Sequence, residues 1–539
     1  MELSDKDTSE ATKTVDVVIV GYGPTGQLLS MFLGRQGHKV TVVERWPDLY
    51  PLPRAVHFDH EIARMFQAVD AIDDINKIVE TADAYEWRNA DKELLLEFSV
   101  GGKAISGWPV SHMFSQPILE RVLDEKVKAL PTVTVWQGWS ATAFAQDADG
   151  VQIDIEHGSM QGGQWVGDGQ RENIRAKYIV GADGANSFVR RSLGIPMHDI
   201  GFAEFNWLVV DVIPKTERVW SPRNWQWCNP RRPTSVISGG PGRRRWEFML
   251  LPGEKIEEMN RDEVAWELLA QWDVTPENAT LERHAVYTFR GQWATSWRQG
   301  RAFLAGDAAH LTAPFTGQGM CAGMRDATAL AWRLDAVLRG KLSDAVLDSY
   351  GPERSAHAQE LIRFAIELGK VICITDPQAA AERDRMMLAA RAETGYKAPS
   401  LPQPRLGDGG LYLKDAPDSG LLGPQGVIEV DGKRGLFDDL LGVHFTLIAK
   451  DASVLEGLSD ANRAGLKALD AVVVHLGNGP GGVKDVEGTY TRFLDGLGCV
   501  AMLARPDFYL QGGARNIAEL NQLLDATREA LAIRTTEAV

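Results

Sequence analysis

The run Gly21-Tyr22-Gly23-Pro24-Thr25-Gly26 follows directly on a β-branched stretch, Val15 to Val20, and constrains this chain more than any other feature. Gln27 to Gln36 reads as helix, and a second β-rich run, Lys39 to Val43, ends at Glu44. The three together predict a βαβ unit with a GxGxxG turn. In such a turn Gly21 permits the tight bend, Gly23 lets the backbone approach a pyrophosphate, and Gly26 allows close helix–strand packing. The helix N-terminus faces the phosphates, and a carboxylate at Glu44 is placed to accept hydrogen bonds from ribose hydroxyls. A glycine-rich turn that binds nothing is the competing reading, and by itself the turn does not separate NAD from FAD.

Two more glycine–aspartate elements follow strand candidates. Ala176 to Val180 leads into Gly181-Ala182-Asp183-Gly184-Ala185-Asn186-Ser187-Phe188-Val189-Arg190, and Ala302 to Ala305 leads into Gly306-Asp307. Pro314-Phe315-Thr316-Gly317-Gln318-Gly319 comes next, before a long helix expected over Ala322 to Leu338. Gly306 permits close backbone approach, and Asp307 can accept hydrogen bonds from ribityl hydroxyls. Gly317 and Gly319 offer backbone N–H groups and a helix N-terminus to an anionic edge. Taken singly, each element also reads as a tight turn with a capping Asp. All three in one chain fit a flavin dinucleotide.

The fold expected is α/β. A Rossmann-like cofactor domain (15–83, 116–200 and 290–397) is interleaved with an antiparallel-sheet substrate domain (84–115 and 201–289). The substrate domain includes a hairpin of Thr234 to Ser238 and Trp246 to Leu250. A Pro/Gly-rich linker, 398–410, precedes a small α/β unit, 411–539, and residues 1–14 form a polar tail without the apolar core of a signal peptide. A chain of 539 residues suits two or three domains. The formal charge of −16 opposes general nucleic-acid binding, which needs Lys and Arg against phosphates. The four cysteines, at 228, 321, 373 and 499, have no CxxC or metal-ligand spacing, so no metal site is expected and a reducing cytoplasm fits. No apolar run reaches the length of a membrane span.

The ordered set GYGPTG with Glu44, Pro53-Arg54-Ala55, Gln116, GADGANSFVR and GDAAHLTAPFTGQG followed by GMRDATALAWRL resembles the class A flavoprotein aromatic hydroxylases. Within them it looks most like the 3-(3-hydroxyphenyl)propionate and 3-hydroxycinnamate hydroxylases. The resemblance covers about Val15 to Arg363. It implies that Gly21, Gly23, Gly26 and Glu44 hold the ADP half of FAD and that Arg54 and Gln116 contact its phosphate or sugar region. Asp183 would serve both FAD and NAD(P)H, with Gly306 and Asp307 at the ribityl and pyrophosphate region. Pro314, Gly317, Gln318 and Gly319 would border the isoalloxazine ring. The helix after GQG departs from the family in carrying Cys321 and Ala329 where Asn is frequent. The C-terminal segment resembles the thioredoxin-like appendage of the phenol hydroxylase branch but lacks CxxC, which implies a packing role or support of a homodimer.

The implied reaction consumes NADH or NADPH and O2 and places an oxygen atom ortho to the hydroxyl of a 3-(3-hydroxyphenyl)propionate-like acid, giving a catechol. A phenolate is the better nucleophile, so a base belongs near the substrate hydroxyl inside a water-poor pocket. His57, Asp59 and His112 are candidate bases, with Pro314 beside the reacting ring; each polar candidate also reads as a turn cap. Trp227, Trp246 and Phe248 are candidate packing surfaces for the substrate, and Arg245 a partner for its carboxylate; ordinary core packing explains the aromatics equally well. Other readings are a tailoring oxygenase of a polycyclic phenol, a flavin dehydrogenase or oxidase without oxygen insertion, and a non-catalytic nucleotide-binding protein.

Overall fold

A computed structural model describes residues 13–52, 54–162, 164–201, 205–397 and 402–532. Most of the expected tail, Pro53 and residues 398–401 of the expected linker lie outside them. Val17 to Val20 is apolar without alternation, as a strand covered on both faces must be. The strand Lys13–Val20 accordingly sits inside a sheet, parallel to Val40–Glu44 on one side and to Gln164–Gly181 on the other. Val133–Gln137 and Ala302–Leu304 extend the sheet outward, also in parallel. Register brings Val20, Gly181 and Leu304 level with one another. The three glycine elements, far apart in sequence, therefore emerge side by side at the carboxyl edge of one sheet, where doubly wound folds bind ligands.

The strand Gln164–Gly181 runs well beyond the expected Ala176 to Val180. Its first half is polar and glycine-bearing, yet it pairs antiparallel with Val151–Gln161, which pairs in turn with Trp139–Gln146. Ladder pairing in this long hairpin overrides weak local β-propensity.

A second sheet runs in the order Ala279–Phe289, Phe205–Pro214, Arg244–Met249, Thr234–Ser238, Trp225–Trp227, Ala84–Arg88, Leu94–Ser99. The expected hairpin is present, with Thr234 opposite Phe248. The one parallel step joins Trp225–Trp227 to Ala84–Arg88, which lies far earlier in the chain. One face of this sheet packs Leu208, Val210, Trp246 and Phe248 on the helix Asp262–Leu269. The other face looks toward the glycine elements.

A third, mixed sheet spans residues 427–514 and is flanked by the helices Asp460–Ala468, Thr489–Leu497 and Ile517–Ala530. It docks through buried polar contacts. Arg64 pairs with Asp438 at 2.6 Å, Asp507 accepts from Trp332 Nε1 at 2.8 Å, and Arg505 donates to Glu353 at 3.0 Å. Among the described residues no helix is long and apolar enough to cross a membrane.

Candidate active site

A cavity of about 790 Å³ opens between the carboxyl edge of the parallel sheet and the inner face of the second sheet. Gly23, Ala182, Gly184 and Asp307 line it from the first side, and Tyr85, Gln226, Ser235, Glu247 and Tyr287 from the second. His57 and the segment Pro314 to Gly317 lie along the same wall.

On the glycine side the backbone is shaped to admit a ligand. Gly21 has φ +106°, and a Cβ there would meet the carbonyl oxygen of Ala182 at 2.2 Å, so only glycine fits. At Gly23, Gly184 and Gly319, all of which line the cavity, a Cβ would meet nothing within 4 Å. The helix Pro24–Arg35 starts at this opening with its first N–H groups free of side-chain caps. Asp307 faces the cavity and accepts no hydrogen bond from the described residues; its enclosure raises the carboxyl pKa against the opposing pull of His310 and Arg54.

Several expected cofactor residues stand behind this wall instead of on it. Glu44 accepts from the backbone N–H of Tyr22 at 2.8 Å and of Trp46 at 2.9 Å, which fixes the loop. Asp183 caps the helix Phe188–Ser192 through Oδ2, 2.6 Å from the N–H of Phe188, while its Oδ1 is buried without a partner. Gln116 accepts from the N–H groups of Arg54 and Ala55 at 3.1 and 2.6 Å and so holds that segment against the cavity it also lines. Gln318 accepts from Arg325 at 2.9 Å. Gly26 and Gly306 lie in close packing, where a Cβ would meet Gly21 O at 2.2 Å and Thr25 Oγ1 at 2.8 Å.

Of the three candidate bases only His57 reaches the cavity. Its Nδ1 lies 3.5 Å from the carbonyl oxygen of Gly317, a contact that favours the tautomer with the proton on Nδ1 and the lone pair on Nε2. Burial lowers its pKa below 6.5, partly countered by Asp59. Asp59 itself is the N-cap of the helix His60–Ala68 and pairs with Arg325 at 2.5 Å, which holds its carboxyl far below the usual range. His112 is on the wrong side of its strand. Ser111 and Met113 face the cavity, whereas His112 stacks on Phe58 with ring centroids 4.7 Å apart, and burial pushes its pKa down to about 4.

The same period of two displaces the aromatic candidates. Trp227, Trp246 and Phe248 belong to the opposite face of the second sheet, clustered on Trp272. Their neighbours along the strands, Gln226 and Glu247, line the cavity instead. Arg245 also lines it, but its guanidinium is engaged by Asp211 at 2.6 and 2.9 Å and by the carbonyl of Arg54 at 2.6 Å, so it closes the wall. Sequence reasoning missed Tyr85, Gln226, Ser235, Glu247 and Tyr287. The signal available was polarity at alternate positions inside aromatic strands, as in Trp225-Gln226-Trp227 and Trp246-Glu247-Phe248.

A family model described as an FAD binding domain matches residues 14–365. A probable NADH-specific resorcinol 4-hydroxylase of Rhodococcus jostii is 38% identical over 94% of this chain and 93% of its own. The chain belongs to the class A flavoprotein aromatic hydroxylases. A 3-(3-hydroxy-phenyl)propionate/3-hydroxycinnamic acid hydroxylase of Mycolicibacterium gilvum is 34% identical over 86% of this chain and 80% of its own. Among solved structures, aklavinone-11 hydroxylase, in a ternary complex with FAD and aklavinone, superposes with a TM-score of 0.74 and 26% identity over 96% of this chain and 99% of its own. Residues 420–530 match the HcaD C-terminal domain. The cofactor of this hydroxylase is FAD. Its residues fit that cofactor: three cavity-lining glycines leave the wall open, a helix N-terminus faces it, and Asp307 lines the cavity as a carboxylate that accepts no hydrogen bond from the described residues.

Proposed function

We propose that this hydroxylase inserts an oxygen atom into the ring of a small phenol, with FAD lying along the glycine side of the cavity and the phenol against the second sheet. Resorcinol and 3-(3-hydroxyphenyl)propionate, named for the relatives, are the compounds to try first. The single observation that carries this reading is the continuity of the cavity from Gly23 and Asp307 to Tyr85, Trp87, Phe98 and Tyr287. One continuous volume joins the glycine-bearing wall to an aromatic one.

Held here and reduced by NAD(P)H, FAD would activate O2 and so supply the oxygen atom at this boundary. The chain's own residues do the rest. Asp307 and the N-terminus of the helix Pro24–Arg35 receive the polar part of the cofactor, and Arg54 stands at the exposed rim over the ring of Tyr50. Phe289 and Phe315, with ring centroids 5.6 Å apart, wall off water beside Pro314. His57 Nε2 accepts the proton of the ring hydroxyl, which raises the nucleophilicity of the adjacent carbon. Four buried free thiols, Cys228, Cys321, Cys373 and Cys499, suit a reducing cytoplasm.

The test is phenol-stimulated NADH oxidation by the purified FAD-bound protein under isotopically labelled O2. The expected product carries one labelled oxygen on the ring. A product without label would replace this reading with that of a dehydrogenase or oxidase.

A further inference from the structure

The inner face of the second sheet carries a straight transverse row of side chains. Trp87 stands level with Gln226, Gln226 with Ser235, Ser235 with Glu247, and Glu247 with Val209. All five line the cavity. In this row the one charged group is an acceptor, Glu247, while Trp87 Nε1 is a buried donor without a partner among the described residues. Ser235 Oγ already donates to Gln226 Oε1 at 2.6 Å, so its proton is committed. The Glu247 carboxylate receives no hydrogen bond from the described residues, and its side chain is only 14% exposed.

The nearest cation does not satisfy it. Arg245 Nη1 is 3.8 Å from Glu247, beyond hydrogen-bond range, and the Arg245 guanidinium is bound by both oxygens of Asp211. Burial raises the Glu247 carboxyl pKa against the pull of Arg245, and it raises that of Tyr85 with Glu247 adding to the rise. A carboxylate held in this way needs a donor from the ligand. It also opposes a second carboxylate brought beside it.

We propose that Glu247 is the residue by which this cavity selects an uncharged second hydroxyl on the phenol ring, accepting its hydrogen bond at the sheet end while the first hydroxyl meets His57. The inference rests on the phenol-hydroxylase reading and adds the substrate class: dihydric phenols over their O-methylated or ring-carboxylated counterparts.

The experiment titrates the FAD-bound protein, without NADH, with resorcinol, 3-methoxyphenol and 3-hydroxybenzoate by calorimetry, in the native chain and in Glu247→Gln and Glu247→Leu. Native protein should bind resorcinol about tenfold or more tightly than 3-methoxyphenol, as expected for one hydrogen bond to a charged group. Glu247→Leu should abolish that preference, Glu247→Gln should reduce it, and both should improve binding of 3-hydroxybenzoate. FAD content and melting temperature verify that the variants fold, and the ligand ranking in the native chain needs no variant. Equal affinity of native protein for resorcinol and 3-methoxyphenol overturns the proposal, as does an unchanged preference in both variants. Product analysis separates the two levels. Hydroxylation of these phenols without the Glu247-dependent ranking sinks the inference alone, whereas absence of labelled product from all of them sinks the hydroxylase reading and the inference with it.

Discussion

Asp211 holds Arg245 by both carboxylate oxygens, at 2.6 and 2.9 Å, with both side chains almost wholly buried. Removing one partner of such a pair leaves a desolvated charge uncompensated. Asp211→Ala should therefore lower stability by about 3–5 kcal/mol. Chemical denaturation of the FAD-bound protein measures this, and a loss below about 1 kcal/mol would mean that Arg245 finds another partner.

His57 has its pKa lowered by burial, so the imidazole is neutral above a pH lying below 6.5. As a base it should give kcat/KM an acid limb below pH 6.5, with activity lost as pH falls through it. His57→Asn should cut kcat/KM by about 10²–10⁴-fold and remove that limb. A limb that persists in the variant would assign the titration to another group.

Asp307 faces the cavity and accepts no hydrogen bond from the described residues. Asp307→Ala should weaken FAD retention by about 10- to 100-fold, the effect of losing hydrogen bonds to a charged acceptor. Flavin release during gel filtration reads this directly, and unchanged retention would exclude Asp307 from cofactor binding.

Trp246 is buried on the far face of the second sheet, against Trp220 and Trp272. Trp246→Ala should cost about 3–5 kcal/mol of stability through the cavity it leaves, while KM for the phenol stays unchanged. A selective rise in KM without loss of stability would return Trp246 to the substrate wall.

His112 is buried, which pushes its pKa down to about 4 against 6.5 for a free imidazole, and its Nδ1 has no partner among the described residues. Because the unfolded chain binds this proton more readily, the stability tied to the neutral ring is present above pH 6.5 and is lost as pH falls toward 4. Relative to native protein, His112→Phe should flatten the pH dependence of the melting temperature over that interval.

The parallel sheet was legible in the sequence because its signals are local. Val17 to Val20 is apolar without break, and the turn that follows carries glycines at the spacing of a dinucleotide-binding βαβ unit. The hairpin of the second sheet was legible for the same reason, through the Gly239-Gly240-Pro241-Gly242 turn. Its parity was not. Arg244 to Met249 is buried on both faces, so the parity rests on the single polar residue Glu247 between two large aromatics, a weaker signal than the aromatics themselves. His112 illustrates the same difficulty, since every residue of Ser111–Phe114 is buried. Contacts such as Arg64 with Asp438 span 374 positions and leave no local trace.

Those long-range contacts bear on how the chain comes apart. Arg505 and Asp507 of the C-terminal unit, Glu353 and Arg333 of the cofactor region, and Trp332 form one buried network in which each region's own ion pair is also in contact with an opposite charge from the other region. Separating the two would strip each internal pair, Arg505 with Asp507 and Arg333 with Glu353, of its cross-region partners and of the Trp332 hydrogen bond. The C-terminal unit is thus thermodynamically fused to the catalytic body: the two should melt in a single cooperative transition, and transplanting either into a chimera would require its counterpart's half of the network as well.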